Sequence, residues 1–429
     1  MTKEYWTSVR PDRTKAPRNR FILKRLPGHT FLVLYFWMKP TFFCTLEPWS
    51  RAISDRGSLH VVTHREVCDV NRDMSTNHAK PNFSQSQAAE IVKKHYNLTP
   101  SQLHRLPSYD DQNFCIATVE GGKYLLKIMN SVNTKDPTLI ELQTYAMNFL
   151  HENGLPTQMT IKTTMGQDMI LEDIDCGSGL QKHLVRLLTY LPGVPIHEVP
   201  SSSQLLYEVG QTAARMDNTL KEMKHPQLCV LQRDGFIWSL SNIPILEKYI
   251  KVLDGDPLLE VVRSVLQQYK TAVAPKYSSF RTCVIHGDFN DLNVLVQANE
   301  TNGYKISGII DFGDMNFGYY IYELAITITY MMLEHPNPID VAGPILAGWE
   351  SVFPLNAAER ECLFWLVLSR LCQSLVMARF SVTFQPENEE YLMLSSKKGI
   401  TVLRKLFEIG KEQVEKVWFQ SAAQFSDKK

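Results

Sequence analysis

The chain has 429 residues, 44% of them hydrophobic, enough to bury a large core and to form two lobes or domains rather than one. Its formal net charge is zero and its pI is near 7.2, so nothing global marks a nucleic-acid or membrane partner. Eight cysteines scattered without C-x-x-C spacing read as reduced, mostly buried thiols of a cytoplasmic protein.

Residues 1–80 differ from the rest. Up to Thr30 they carry Lys3, Arg10, Arg13, Lys15, Arg18, Arg20, Lys24 and Arg25 against Glu4 and Asp12, then turn apolar at Phe31–Met38. Eight apolar residues are too few to span a bilayer. Two readings of the Arg-rich start stay open. One is a disordered or alternatively initiated extension. The other is a mitochondrial transit peptide, although Pro11, Pro17 and Pro27 spoil an amphipathic helix. Residues 50–80 are polar and aperiodic, as in a linker.

Order is expected from near Phe83. Ala88, Ala89, Ile91 and Val92 predict a helix over Ser84–Tyr96, stopped at Asn97. A polar turn, 106–113, then leads into a hairpin of strands Phe114–Val119 and Tyr124–Ile128. The tip of that turn could fold over phosphates. Without a glycine-rich loop, the grip would come from backbone amides and Ser108. Lys127 interrupts an apolar strand, where an ammonium needs an anion, and alternation puts Leu125 on its face. Asp136-Pro137 opens a helix running to Asn153-Gly154, with Glu141 flanking its apolar stripe. Strand Leu184–Tyr190 breaks at Leu191-Pro192-Gly193, which suits a hinge whose backbone reads a purine. Helical stripes follow over 205–220, Ile245–Leu253, Leu258–Tyr269, Leu324–Met332, Ala357–Phe380 and Leu403–Phe419.

The chemistry gathers in 284–314. Val284-Ile285 enters the loop His286-Gly287-Asp288, Asn293 opens the run Val294–Val296, and Tyr304–Ile310 returns to Asp311-Phe312-Gly313. Asn302-Gly303 predicts a type I′-like turn, making the two runs a hairpin. With paired strands ~4.8 Å apart, Asp311 comes back beside Asn293 and near Asp288. Phosphoryl transfer needs a carboxylate to orient an acceptor hydroxyl and take its proton, here Asp288. It also needs hard oxygen ligands for Mg²⁺, here Asn293 and Asp311.

H-G-D-x4-N followed by I-D-F-G-D resembles the aminoglycoside phosphotransferase family of small-molecule kinases. Gly287 stands where a protein kinase has Arg, and no A-P-E segment follows Asp311. The chain departs from that family's G-D-P-x-x-D-L-A element at Tyr319 and has Glu323 in the second acidic position. There a carboxylate at a helix start would brace the catalytic loop. The resemblance extends over roughly residues 81–425. It implies an α+β, bilobal protein-kinase-like fold, with an antiparallel-sheet N-lobe over 81–190 and a mainly helical C-lobe over 191–429. Within it Lys127 would grip nucleotide phosphates with Glu141 as its ion-pair partner, and Leu125 would roof the base.

The segments LPSYDDQNF, YLPG, IHGDFNDLNVL and RLCQSLVMA resemble a branch of the family for which GTP, or ATP, with Mg²⁺ phosphorylates the hydroxyl of 5-hydroxy-L-lysine. Choline, homoserine, a methylthioribose or an aminoglycoside as acceptor, and a silent binding module, remain alternatives. For the acceptor's amines the candidates are Asp291, Asp314, Glu389 and Glu390. Arg370 and Arg379 would either clamp a carboxylate or pair buried acids. The partners expected are the nucleotide and a small amino acid, with no nucleic acid, membrane span or obligate protein partner.

Overall fold

The computed structural model describes residues 22–25, 31–34, 80–175, 179–300 and 302–426. The chain divides into two units, Met1–Val62 and Thr63–Lys429. In the first, β1 (Ile22–Arg25) pairs antiparallel with β2 (Phe31–Leu34). Apart from this hairpin and Lys80, the extension expected over residues 1–80 lies outside the described residues.

The second unit begins as the pattern of apolar residues requires. Ser84 and Gln87 form a capping box that starts α1 (Gln85–Tyr96), and Asn97, left-handed at φ 52°, stops it. Ala88, Ile91, Val92 and Tyr96 share one face and pack on an antiparallel sheet. Its strands are β3 (Pro100–Leu106), β4 (Gln112–Thr118) and β5 (Lys123–Ile128). A short α2 (Ser131–Thr134) and α3 (Thr138–Glu152) follow, with Asp136 Oδ1 accepting from Thr138 N at 3.1 Å. Then come β6 (Thr160–Ile161), β7 (Ile170–Asp175) and β8 (Leu180–Thr189). The order is β3-β4-β5-β8-β6, with β7 also pairing β8. Phe114, Ile116, Leu126, Ile128, Val185 and Leu187 form the core beneath α1.

At the expected break Gly193 has φ +114°, and a Cβ there would lie 2.6 Å from Val296 O. The chain then adds β9 (Val194–Pro195) and enters a mainly helical region. This holds α4 (Ser203–Leu220), α5 (Leu258–Gln268), β10 (Thr282–Ile285), β11 (Val294–Ala298), β12 (Tyr304–Ile309) and β13 (Asn316–Tyr319). It closes with α6 (Tyr320–Met331), α7 (Ala342–Glu350), α8 (Ala357–Val382), α9 (Glu389–Leu392), α10 (Leu394–Ile409) and α11 (Lys411–Ser426). A single large core fills it, including Leu142, Ala146 and Leu150 from α3.

Two expected helices differ. Over 245–253 the chain forms 3₁₀ segments, Leu240–Lys248 and Ile250–Leu253, because Pro244 lacks the amide an α-helix needs. The run Leu403–Phe419 is two helices, α10 and α11, broken at Gly410 with φ +83°. Among the described residues α8 is long and apolar enough to cross a membrane, but 83% of its apolar window is buried, which makes it a core helix.

Candidate active site

Two strand pairs place the acidic residues. β10 pairs β13 with Ile285 opposite Asn316, and β11 pairs β12 with Val294 opposite Ile309. Ile310 N donates to Asn293 O at 3.0 Å, so the hairpin returns Asp311 beside Asn293. Its connection is longer than a two-residue turn. Asn299 N donates to Gly303 O at 2.9 Å and Gly303 N to Asn299 Oδ1 at 2.8 Å. Asn302 is left-handed but Gly303 is not, whereas type I′ needs both.

The loop between β10 and β11 is braced from below. Gly287 has φ +80°, and a Cβ would lie 2.6 Å from Asp314 O and 2.8 Å from Asn316 Nδ2. Gly287 N donates to Glu323 Oε2 at 3.0 Å, and Glu323 is fully buried at the start of α6, the bracing role expected of it. Burial pushes the Glu323 carboxyl up, with His286 and backbone amides pulling against it. His286 Nε2 lies 3.0 Å from Ile310 O and so carries the proton, while Nδ1 accepts from Asp288 N at 3.2 Å.

Asp288 is held at both oxygens. Oδ1 accepts from Arg370 Nη2 at 3.0 Å and Oδ2 from Asn293 Nδ2 at 3.0 Å. Burial raises its carboxyl above the usual range, Arg370 opposes this, and Asp311 adds to it. Lys127 is 6% exposed, with Nζ 3.0 Å from Asp311 Oδ1 and 3.6 Å from Asp111 Oδ2. Burial pulls Lys127 down, but Asp311 and then Asp111 outweigh it and leave it raised. Burial likewise pushes Asp311 up, and Lys127 overcomes this to hold it at about 2. Asp311 sits at φ 60°, ψ 78°, a backbone strain of the kind that collects at functional sites.

These groups share one cavity of ≈ 500 Å³. Ser108 and Asp111 line it from the turn between β3 and β4, Lys127 from β5, Ile140 and Gln143 from α3, and Asp288, Asn293, Asp311 and Asp314 from the segments around the β11–β12 hairpin. Arg233, Trp238, Tyr330, Arg370 and Tyr391 also line it. Thus Ser108, Lys127, Asp288, Asn293 and Asp311 come together as expected of their positions. Asp314 joins them, its carboxyl raised to about 6 by burial and the Asp288 charge.

Other candidates fall elsewhere. Glu141 is exposed, because α3 turns Ile140 and Gln143 to the cavity and a residue between them points away. Lys127 therefore pairs with Asp311 and Asp111, not Glu141. Ser108 stays at the cavity wall, and its hydroxyl donates to Asp111 O, which stiffens the turn. Leu125 lies on the expected face but packs against the large core and is not part of the cavity wall. Arg379 pairs with Asp256 at 2.7 Å, far from the carboxylate-clamp role, and Arg370 pairs with Asp288. Asp291, Glu389 and Glu390 also lie outside the wall, where Tyr391 stands in place of the two glutamates.

Asp111, Gln143 and Arg233 were not singled out by sequence. Gln143 Nε2 donates to Gly313 O at 3.0 Å, and Arg233 Nη1 to Gly313 O at 3.0 Å and Met315 O at 3.1 Å. Asn113 pairs with Lys127 in the β4–β5 hairpin, and Asp111, two residues before Asn113, reaches Lys127 from the diagonal position on the same face.

An antiparallel sheet presenting a buried lysine to an Asp-Asn-Asp group on helix-backed loops is the architecture of a kinase-like phosphotransferase. The chain belongs to the phosphotransferase enzyme family (APH), whose model matches residues 102–364, and is a small-molecule kinase. It is 56% identical to a hydroxylysine kinase of Danio rerio over 352 residues, covering 82% of this chain and 99% of the relative. To the hydroxylysine kinase of Bos taurus it is 47% identical, covering 81% and 95%. Amicoumacin kinase hAmiN, solved with AMP-PNP, Ca²⁺ and Ami, shares the fold at a TM-score of 0.55 and 17% identity, over 75% of this chain and 94% of that one.

Proposed function

We propose that this kinase transfers the γ-phosphoryl group of GTP to the hydroxyl of 5-hydroxy-L-lysine, with Asp288 as the base. The acceptor reading is carried by the likeness to vertebrate hydroxylysine kinases along nearly their whole length. GTP, with ATP as the alternative donor, rests on the resemblance of the motifs.

The charge of the cavity supports a cationic acceptor. Six aspartates, Asp110, Asp111, Asp136, Asp288, Asp311 and Asp314, line it against three cations, Lys127, Arg233 and Arg370. Each cation already engages the protein: Lys127 holds Asp311, Arg370 holds Asp288, and Arg233 holds two carbonyls. An acceptor with two ammonium groups suits that surplus.

The donor atoms of Asn293 and Asp311 fit a hard divalent cation. Asn293 spends its amide nitrogen on Asp288 O and Oδ2, both at 3.0 Å, which leaves Oδ1 as a neutral oxygen donor beside the Asp311 carboxylate. Bound there, Mg²⁺ would bridge and neutralise phosphate oxygens, with water and phosphate completing its shell. Asp288 keeps a lone pair on each oxygen beyond its two hydrogen bonds, so it can accept the acceptor's O–H and take the proton. Lys127 lies where it can exchange Asp311 for a phosphate.

The test is a panel of hydroxyl-bearing amines with GTP or ATP and Mg²⁺, read as nucleoside diphosphate release. 5-Hydroxylysine with GTP should be turned over well, and choline and aminoglycosides should not. Comparable kcat/KM for choline would overturn the amino-acid reading, and an ATP rate equal to the GTP rate would overturn only the donor.

A further inference from the structure

Arg370 lies at the middle of α8, a helix otherwise packed into the apolar core, and is 1% exposed. A guanidinium there carries a desolvation cost, and a whole buried ion pair can often be replaced by apolar side chains of similar volume without loss of stability, so stability alone gives no reason for the pair. Its terminal nitrogens tie α8 to the site. Nη2 donates to Asp288 Oδ1 at 3.0 Å, and Nη1 donates to Trp238 O and Gln373 Oε1, each at 3.0 Å. The rings of Trp238 and Tyr330 flank the guanidinium at 5.1 and 5.3 Å. Gln373, one turn along α8, in turn donates through Nε2 to Ile237 O. The plane of the guanidinium is thereby fixed before Asp288 meets it.

We infer that Arg370 is a positioning residue for Asp288: it aims one carboxylate oxygen from α8 while Asn293 holds the other, presenting the remaining lone pairs to the acceptor hydroxyl. This rests on the reading of Asp288 as the base. A planar fork does what a lysine cannot, because its two ends bind the backbone and the carboxylate at a set angle.

The experiment measures kcat and the KM of each substrate for the wild type, Arg370→Met, Arg370→Lys and Asp288→Asn, with melting and GTP binding as controls. Arg370→Met should bind GTP within a few-fold of the wild type, keep its KM for 5-hydroxylysine within a few-fold, and lose kcat by roughly 10–100-fold. Arg370→Lys should not restore kcat, because a point charge lacks the planar fork. Wild-type kcat in folded variants would overturn the positioning role, as would failure of both variants to fold, which would make Arg370 a scaffold. Near-normal turnover in Asp288→Asn would remove the base reading itself. An inactive Asp288→Asn beside unperturbed Arg370 variants would remove only the inference about Arg370.

Discussion

Lys127 Nζ lies 3.0 Å from Asp311 Oδ1, joining the centre of the sheet to the residue that ends the β11–β12 hairpin. The lysine side chain is 7% exposed and the aspartate 45%, so solvent screens part of the pair and its chief value is alignment. Asp311 is depressed to about 2, so its contribution is present above the ordinary carboxylate range and lost as pH falls through that value. Lys127 is raised, so its contribution is present below the ordinary lysine range and lost only as pH rises through the raised folded value. The pair thus stays charged between about pH 4 and 10, and activity changes in that interval belong to other groups. Lys127→Met should raise the KM for nucleotide by on the order of tenfold or more, about 1.4 kcal/mol per decade, with little change in acceptor KM. Steady-state kinetics with each substrate varied in turn would decide, and an unchanged nucleotide KM would sink the phosphate role.

The partner acid can be tested directly. Glu141 is exposed and Asp111 faces Lys127 at 3.6 Å while accepting from Asn130 N at 3.0 Å. Glu141→Ala should leave melting within about 0.5 kcal/mol and kinetics unchanged, as for an ordinary surface substitution. Asp111→Asn should weaken nucleotide binding. The reverse pattern would restore Glu141 as the functional partner.

Glu141 also shows where the sequence stopped being legible. Residue type and spacing carried the hairpin, Asp288, Asn293, Asp311 and Lys127, because strand pairing converts a short sequence separation into a fixed distance. Helix phase is less constrained. Glu141 flanks the apolar stripe by one residue, and one residue is 100° of rotation, enough to exchange a cavity wall for solvent. Arg370 was legible as a cation on an apolar helix, but its partner lies 82 residues away on another element, a contact set by tertiary packing that no local pattern encodes.

Gly287 should tolerate no side chain. At φ +80°, with Asp314 O 2.6 Å from a built Cβ, alanine meets both left-handed strain of about 1–2 kcal/mol and fixed backbone. Gly287→Ala is expected to lower Tm by several degrees and to cut turnover, since relief would displace Asp288. Wild-type Tm and turnover in that variant would show that the loop adapts freely.

Asp288→Asn removes the base but keeps its shape and the Asn293 contact. Nucleotide binding should survive while turnover drops on the order of 10²–10⁴-fold, the span of general-base catalysis. Single-turnover measurement separates this from slow product release. A near-normal chemical step would assign proton removal to another group.

Asp314 offers a test with two opposed readouts. Its carboxyl is raised to about 6 by burial and by Asp288, with Arg233 and Arg370 opposing. A raised acid binds its proton more tightly when folded, so stability falls as pH rises from the ordinary value of ~3.9 towards 6 and is flat above. At neutral pH the site therefore holds a charge at the expense of stability, as expected of a group kept for an ammonium ligand. Asp314→Asn should melt higher than the wild type above pH 6, by up to a few degrees, and equally below about pH 4. Its acceptor KM should rise roughly 10–100-fold, the worth of a hydrogen bond to a charged group, with nucleotide KM little changed. Below pH 6 the wild type should lose acceptor affinity as Asp314 protonates, and the variant should not. An acceptor KM unmoved by the substitution would take Asp314 out of acceptor recognition, whatever happens to the melting curve.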